Sequence, residues 1–176
     1  MKAAELDRKK RQIRRLLLSE YDISEAKDIC RYIIRHGLWN DIHEPEARTL
    51  GRWLQSAMVV AYYRPFSGNH NTDDTLDRPS INICKKLSQE HLELHCFLKK
   101  NRNEVFAHTA ADIRDLEVSV SLLAGRHSVT CSSEVSEAMF TQQTYLSIKS
   151  LFETVEELFE KEIQKIASTL PLKESF

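Results

Sequence analysis

The sequence predicts a mainly α fold, an up-and-down helical bundle of about five helices with a small β-hairpin inserted before the last one. Apolar residues recur at three- and four-residue spacing over most of the 176-residue chain. Only 4 Gly and 4 Pro are present, which is few for a turn-rich β fold. One stretch of alternating apolar and polar residues interrupts the helical pattern. A chain of this length is expected to form a single domain, 1–176.

Three helices are predicted in the first part of the chain. The first spans about residues 3–20, and Ser24 is expected to cap the second, which ends at Gly37. Pro45 lies in the first turn of the third helix, and Pro65 ends it. The apolar stripe of this third helix comprises Leu50, Trp53, Leu54, Ala57, Met58 and Ala61.

The remainder of the chain contains a loop, a helix, a hairpin and a last helix. Residues 67–82 are rich in Asn and Asp and predict a mobile loop. The fourth helix is expected over about residues 82–107. Residues 116–132 alternate around Gly125, which predicts the hairpin. The last helix has the most regular stripe, formed by Tyr145, Ile148, Leu151, Phe152, Val155, Leu158, Phe159, Ile163 and Ile166.

The composition favours a soluble, cytoplasmic protein. No apolar run approaches a membrane span, and the amino terminus lacks the apolar core of a secretory signal. The four cysteines form no Cys-x-x-Cys pair and are expected to be reduced and mostly buried. Seven Lys and Arg residues lie within 1–20, including Arg14 and Arg15. Two interpretations of this basic run stay open, a contact to a nucleic-acid backbone and a solvated helix face.

The residue types that carry chemistry lie in one heptapeptide, Arg102-Asn103-Glu104-Val105-Phe106-Ala107-His108. A histidine of near-neutral pKa can take the proton from a ribose 2′-hydroxyl. A guanidinium can hold a phosphate by two parallel hydrogen bonds, and an adjacent amide can orient either group. RNA cleavage without a metal ion uses these residue types.

The heptapeptide resembles the Arg-Asn-x4-His signature of the HEPN superfamily, whose all-helical members include metal-independent ribonucleases and toxins of toxin–antitoxin systems. Tyr63-Arg64-Pro65-Phe66 adds to the resemblance. The resemblance implies a general base at His108, a phosphate clamp at Arg102 and an orienting amide at Asn103, with no cofactor or metal. Arg64 and Glu104 are further candidates for binding.

The angular positions on the fourth helix predict how this motif is used. With Leu87 as the origin, Arg102 lies about 60° to one side of the apolar stripe and His108 about 60° to the other. Two side chains so far apart do not readily share one phosphate. The stripe is therefore expected to pack against a second copy, and HEPN ribonucleases have such composite sites. A homodimer, RNA and an antitoxin protein are the expected partners.

A structural interpretation stays open for each candidate. His108 can cap the last turn of its helix or bond to Glu104, and Arg64 can brace a helix end. His91 and His95 have the spacing of a zinc pair, but the sequence offers no third ligand, and a polar or interface position is favoured. The alternative function is a non-catalytic helical module that dimerises, binds a partner protein or binds a nucleotide.

Overall fold

The structure, a computed structural model, describes residues 3–40, 44–67, 79–103, 114–123, 126–135 and 139–170. The four α-helices of this part of the chain are α1 (Ala3–His36), α2 (Pro45–Tyr63), α3 (Gln89–Asn101) and α4 (Gln142–Ala167). Short 3-10 turns occupy Arg64–Phe66 and Ile83–Lys85. The two strands are β1 (Arg114–Leu123) and β2 (Arg126–Val135).

Helix α1 is antiparallel to both α2 and α4. Lys27 forms an ion pair with Glu156 of α4. Further along α1, the Cys30 Sγ lies 3.5 Å from the Tyr145 carbonyl oxygen, near the beginning of α4. Gly37, with a φ of 63°, ends α1 in the left-handed conformation that glycine adopts readily. The chain then returns along α1 as α2.

The remaining contacts complete an up-down-up-down arrangement. In the contacts between the α2 region and α4, the residue numbers rise together: Gln55 with Tyr145, Tyr62 with Phe152, and Phe66 with Phe159. In the contacts of α3 with α4 and with the segment before α4, one residue number rises as the other falls: His91 with Ser150, and Phe97 with Phe140. Helix α4 is therefore parallel to α2 and antiparallel to α3.

The mainly α class and the helical bundle are confirmed, but the predicted number of about five helices is not. The first two predicted helices form one continuous helix of 34 residues. The predicted break before Ser24 was wrong because residues 21–23 contain no Gly or Pro, and Ile23 is fully buried in the core. None of the helices described is long and apolar enough to cross a membrane.

Helix α3 corresponds to the fourth predicted helix, and it begins later than the predicted residue 82. The Ser88 side chain accepts a hydrogen bond from the His91 backbone N–H at 3.2 Å, which caps the helix at this point. The described part of the helix ends at Asn101. Glu104 and His108 lie outside the described residues.

The core confirms the stripe predicted for α4 and corrects the one predicted for α2. Phe152 and Phe159 are both fully buried. Trp53 and Leu50, however, are 70% and 42% exposed. The buried face of α2 includes Gln55 instead, because its Oε1 accepts from the Phe140 backbone N–H at 2.8 Å and from the Tyr145 hydroxyl at 2.7 Å. A polar side chain that accepts from two donors is thereby accommodated inside the core.

The apolar stripe of α3 packs within its own chain. Leu98 is fully buried in the core, and Leu94 and Leu87 pack against it. Of the stripe that was expected to meet a second copy, Leu98 is thus covered inside one bundle, Leu87 and Leu94 are partly covered, and Val105 lies outside the described residues. A homodimer stays a prediction.

The hairpin lies where the alternating pattern predicted it, with longer strands than residues 116–132. Strands β1 and β2 pair antiparallel from Arg114 opposite Val135 to Leu123 opposite Arg126. Neither strand packs extensively against a helix among the described elements. Of the predicted loop 67–82, residues 68–78 lie outside the described ranges.

Candidate active site

A cavity of about 590 Å³ lies between the end of α2, the second 3-10 turn and the last turns of α3. Its volume falls within the range of ~300–1,000 Å³ that is usual for small-molecule and cofactor sites. The cavity is lined by Tyr63, Pro65, Phe66, Ser67, Pro79, Ser80, Ile81, Asn82, Ile83, Cys84, His95, Lys99, Arg102 and Asn103.

Among the described residues of this lining, the charged side chains are all positive. Lys99 and Arg102 are cations, and none of the described lining residues is a carboxylate. Asn82 and Asn103 add amides, and two serines add hydroxyl groups. A concave surface that carries cations and neutral hydrogen-bond donors attracts an anionic ligand.

The two described members of the heptapeptide lie together on the cavity wall. Arg102 Nη1 donates to Asn103 Oδ1 at 3.0 Å, and both side chains are partly buried. A guanidinium has five N–H donors in one plane. The bond to Asn103 uses one of them and restrains that plane. The backbone N–H of Arg102 donates to Leu98 and Lys99 carbonyl oxygens, which continues the helix to this position.

A buried histidine of the wall, His95, is in contact with a buried tyrosine behind it. The Tyr62 hydroxyl lies 2.8 Å from His95 Nδ1. Tyr62 is fully buried, and burial raises its pKa well above the ordinary value, so the hydroxyl stays protonated. Burial, followed by the charge of Lys99, lowers the pKa of His95. The imidazole is therefore neutral at neutral pH.

The hydrogen-bond network assigns the tautomer of this imidazole. His95 Nδ1 is the acceptor available to the Tyr62 hydroxyl within the described part of the chain. An unbonded hydroxyl proton inside the core would cost ~1–3 kcal/mol. The hydroxyl therefore donates to Nδ1, and Nε2 carries the ring proton. His95 presents an N–H donor, rather than a base, to the cavity.

His95, Lys99 and Arg102 form a row along one face of α3. Their spacing of four and then three residues keeps them within a sector of about 60° and spreads them over ~10 Å of the helix axis. Relative to Leu87, they lie at about 80°, 120° and 60°. These angles, which can be read from the sequence, indicate that the three residues share one face of the helix. The sequence did not reveal that residues distant along the chain, Tyr62 and Phe66, cover His95.

Arg64 points away from this site, although its neighbours line the cavity. Its Nη1 donates to Glu25 Oε2 at 2.6 Å and lies 3.4 Å from Asp22 Oδ1. These contacts join the end of α2 to α1, which is the bracing arrangement considered for this residue. A contact from Arg64 to RNA stays a prediction.

His91 and His95 have separate surroundings. His91 Nε2 lies 3.4 Å from Ser150 Oγ, whereas His95 is bound to Tyr62. Within the described ranges, no three His, Cys, Asp or Glu side chains come together as a metal-binding group.

One member of the basic run is a core residue. Arg15 is 1% exposed, and its Nη2 donates to the Pro65 carbonyl oxygen at 3.2 Å. Arg15 therefore supports the turn beside the cavity and is not available to a nucleic-acid backbone at the surface. Arg8, which lies about two helical turns before Arg15 on α1, is exposed.

Comparisons with known proteins give no relative for this chain. No family model matches it, and neither a curated protein nor a solved structure matches it. The resemblance to the HEPN superfamily rests on the motif residues alone.

Proposed function

We propose that the protein is a metal-independent endoribonuclease of HEPN type, acting as a cytoplasmic toxin or defence effector. The observation that supports this most strongly is the Arg102–Asn103 pair on the wall of a cavity whose described lining residues are cationic or neutral. A restrained guanidinium in such a wall is suited to the extra negative charge of a pentavalent phosphate.

The proposed reaction is a transesterification within the RNA. His108 removes the proton from a 2′-hydroxyl, the 2′-oxygen bonds to phosphorus, and the bond from phosphorus to the 5′-oxygen breaks. The leaving oxygen takes a proton from water. The products are a 2′,3′-cyclic phosphate and a 5′-hydroxyl end. Arg102 stabilises the phosphorane, and Asn103 restrains Arg102.

The proposed active form is a homodimer in which two copies of the motif share a cleft. A two-fold axis would bring His108 of one copy toward Arg102 of the other. Leu98 is covered within the bundle. In the proposed dimer, the polar face of α3 that carries Lys99 and Arg102 therefore lies nearest the two-fold axis. RNA is the proposed substrate, and an antitoxin protein the proposed inhibitor.

A cleavage assay with labelled RNA tests this proposal. We expect Arg102→Ala and His108→Ala each to abolish cleavage, because loss of a positioned base alone costs ~10²–10⁴-fold. Arg102→Lys should also fail, since an ammonium does not reproduce the bidentate fork. Lys100→Gln is the matched control, because it removes an exposed neighbouring charge outside the cavity lining.

The products and the metal requirement provide further tests. Cleavage should continue in excess EDTA and leave cyclic phosphate ends. Cleavage that persists at the wild-type rate in folded Arg102→Ala protein would exclude the proposed role of the motif.

The character of the cavity wall also supports a second candidate, a non-catalytic nucleotide-binding module. His95, Lys99 and Arg102 are all donors, and a wall of donors binds a phosphate without cleaving it. Wild-type protein that binds RNA or nucleotides at this wall but leaves RNA intact under all conditions would favour this candidate.

A further inference from the structure

His95 has an unused donor that faces a ligand-sized space. Its Nδ1 is bound to Tyr62, and the structure gives no partner for Nε2 among the described residues. His95 as a whole is only 5% exposed, but Nε2 is not one of the fully buried atoms without a partner, so it keeps part of that exposure. Since His95 lines the cavity, this nitrogen is reached from the cavity.

The ring is held in position from several sides. The Phe66 ring is perpendicular to it at a centroid distance of 5.1 Å, and the Tyr62 ring is nearly so at 5.8 Å. The Tyr63 ring lies at 5.9 Å. An imidazole fixed by packing and by one hydrogen bond has a defined direction for its second nitrogen, which favours recognition of a ligand.

We propose that His95 is a ligand-binding residue whose Nε2–H donates to a phosphate oxygen of an oligoribonucleotide, bound along the face of α3 that also carries Lys99 and Arg102. Tyr62 is the positioning residue for this imidazole. The choice of RNA as the ligand rests on the proposed function.

The spacing of the row selects an extended polyanion over a small anion. His95 and Lys99 are separated by ~6 Å along the helix axis, and Lys99 and Arg102 by ~4.5 Å. A single phosphate engages donors from one part of this row. A chain with successive phosphates engages the whole row, and single-stranded nucleic acids bind proteins through positive grooves of this kind.

Binding of an uncleavable RNA separates this role from catalysis. The probe is a short, fluorescein-labelled oligoribonucleotide with 2′-O-methyl riboses, which have no free 2′-hydroxyl, and the readout is fluorescence anisotropy. We expect His95→Phe to weaken binding by about tenfold or more, as for loss of a hydrogen bond to a charged group. His95→Gln should recover part of the affinity, because its amide retains an N–H donor.

Two further variants serve as controls. His91→Gln changes a histidine one turn earlier on α3 that contacts Ser150 and does not line the cavity, so affinity should be unchanged. Tyr62→Phe removes the hydroxyl that sets the tautomer, and we expect weaker binding with a mixture of Nδ1–H and Nε2–H forms. Inorganic phosphate should bind more weakly than the oligonucleotide and should lose less affinity in Lys99→Gln.

Nitrogen-15 NMR of the wild-type imidazole gives a readout that a purely structural role would not change. We expect a neutral His95 protonated at Nε2, and a shift of the Nε2–H resonance when the oligonucleotide is added. This measurement needs no substitution, so it decides the question even where His95→Phe does not fold.

The outcomes distinguish this proposal from the ribonuclease proposal. Binding that depends on His95 in a protein that cleaves no RNA would support the ligand-binding role and exclude the ribonuclease. Affinity equal to wild type in folded His95→Phe, an unshifted Nε2–H resonance, or no binding of the oligonucleotide would overturn the role of His95. Cleavage of ordinary RNA can still be tested independently through His108→Ala.

Discussion

At the scale of single residues, the buried amide of Gln55 has defined hydrogen-bond partners. Gln55 is 2% exposed, and its Oε1 accepts from both the Phe140 N–H and the Tyr145 hydroxyl. Burial raises the pKa of the Tyr145 hydroxyl, so this donor stays protonated. One amide oxygen therefore satisfies two donors from another part of the chain.

We expect Gln55→Met to destabilise the fold strongly. The thioether fits the volume but is a weak acceptor, so the buried Tyr145 hydroxyl would lose its partner at ~1–3 kcal/mol, and the partly buried Phe140 N–H would lose its partner at a smaller cost. Urea unfolding measures the change in the free energy of unfolding. Gln89→Met is the control, because Gln89 is exposed and bonds only to Glu93 on the same helix face. Equal stability of the two variants would show that the Gln55 bonds contribute nothing.

The cysteines differ in exposure, contrary to the expectation that most would be buried. Cys30 is buried, while Cys84 and Cys96 are exposed. Desolvation raises the pKa of the Cys30 thiol to about 12, so the reactive thiolate is rare at neutral pH. We expect iodoacetamide to modify Cys84 and Cys96 in the folded protein and Cys30 only after denaturation. Peptide mass spectrometry measures this order, and rapid labelling of Cys30 would contradict its burial.

At the scale of helices, α1 and α4 meet through a group of charges. Lys27 pairs with Glu156, and Glu20 lies near Glu156 and Glu160. Burial, followed by the charges of Glu156 and Glu160, raises the pKa of Glu20, while Lys27 opposes this change. The folded protein thus binds the Glu20 proton more tightly than the unfolded chain does. Stability from this group is present at low pH and decreases as the pH rises through the raised pKa.

We expect Glu20→Gln to raise the urea midpoint at pH 7, because the neutral amide removes a charge that is unfavourable in the folded state. Near pH 4, just below the ordinary glutamate pKa of ~4.3, most of the gain should disappear, since Glu20 is then more than half protonated in the unfolded chain as well. Glu157→Gln is the control, as Glu157 is exposed and pairs with Lys161. A gain that grows toward low pH would contradict the direction of the shift.

The helices differ in how well their sequences predicted them. Helix α4 was predicted well because its stripe is regular and capped, with Thr141 accepting from the Thr144 N–H. The break near Ser24 was predicted from a capping residue alone, and packing of Ile23 overrides that local preference. The motif identified Arg102 and Asn103 as candidate site residues, but it did not indicate that they line a cavity. That cavity depends on tertiary contacts from α2, which periodicity within α3 does not encode.

At the scale of the whole molecule, the up-down-up-down arrangement places the start of α1 at the end of the bundle that contains the cavity. The amino-terminal part of α1 and the end of α2 lie together, since Arg15 bonds to the Pro65 carbonyl oxygen. Pro65 lines the cavity. The exposed start of α1, including Arg8, therefore extends from the end of the bundle that contains the cavity.

We expect RNA affinity to depend on this end of α1 through salt. Arg8→Gln should weaken binding of the 2′-O-methyl oligonucleotide and lower the slope of log affinity against log salt by about 0.7 for a single strand. Arg35→Gln is the matched control, because it removes an exposed arginine near the other end of the same helix. Equal effects of the two variants would indicate a non-specific charge effect rather than a contact near the cavity.

The hairpin is expected to be separable from the stability of the bundle. Neither strand packs extensively against a helix in the part of the chain described, and an isolated hairpin is only marginally stable. Replacement of residues 114–135 by a Gly/Ser linker should leave the helical content and shift the melting temperature by less than ~5 °C. Circular dichroism measures both. Loss of cooperative unfolding would show that the hairpin supports the helices.

The Gln55 contact has a consequence for the connection between α3 and α4. Because Gln55 holds the Phe140 N–H, the chain rejoins the bundle at a fixed point, whatever lies between α3 and α4. The entropy cost of closing a longer connection rises only slowly, by ~0.6 kcal/mol for each doubling of length. The connection between α3 and α4 can therefore be exchanged, lengthened or shortened by protein engineering while the helices keep their registry.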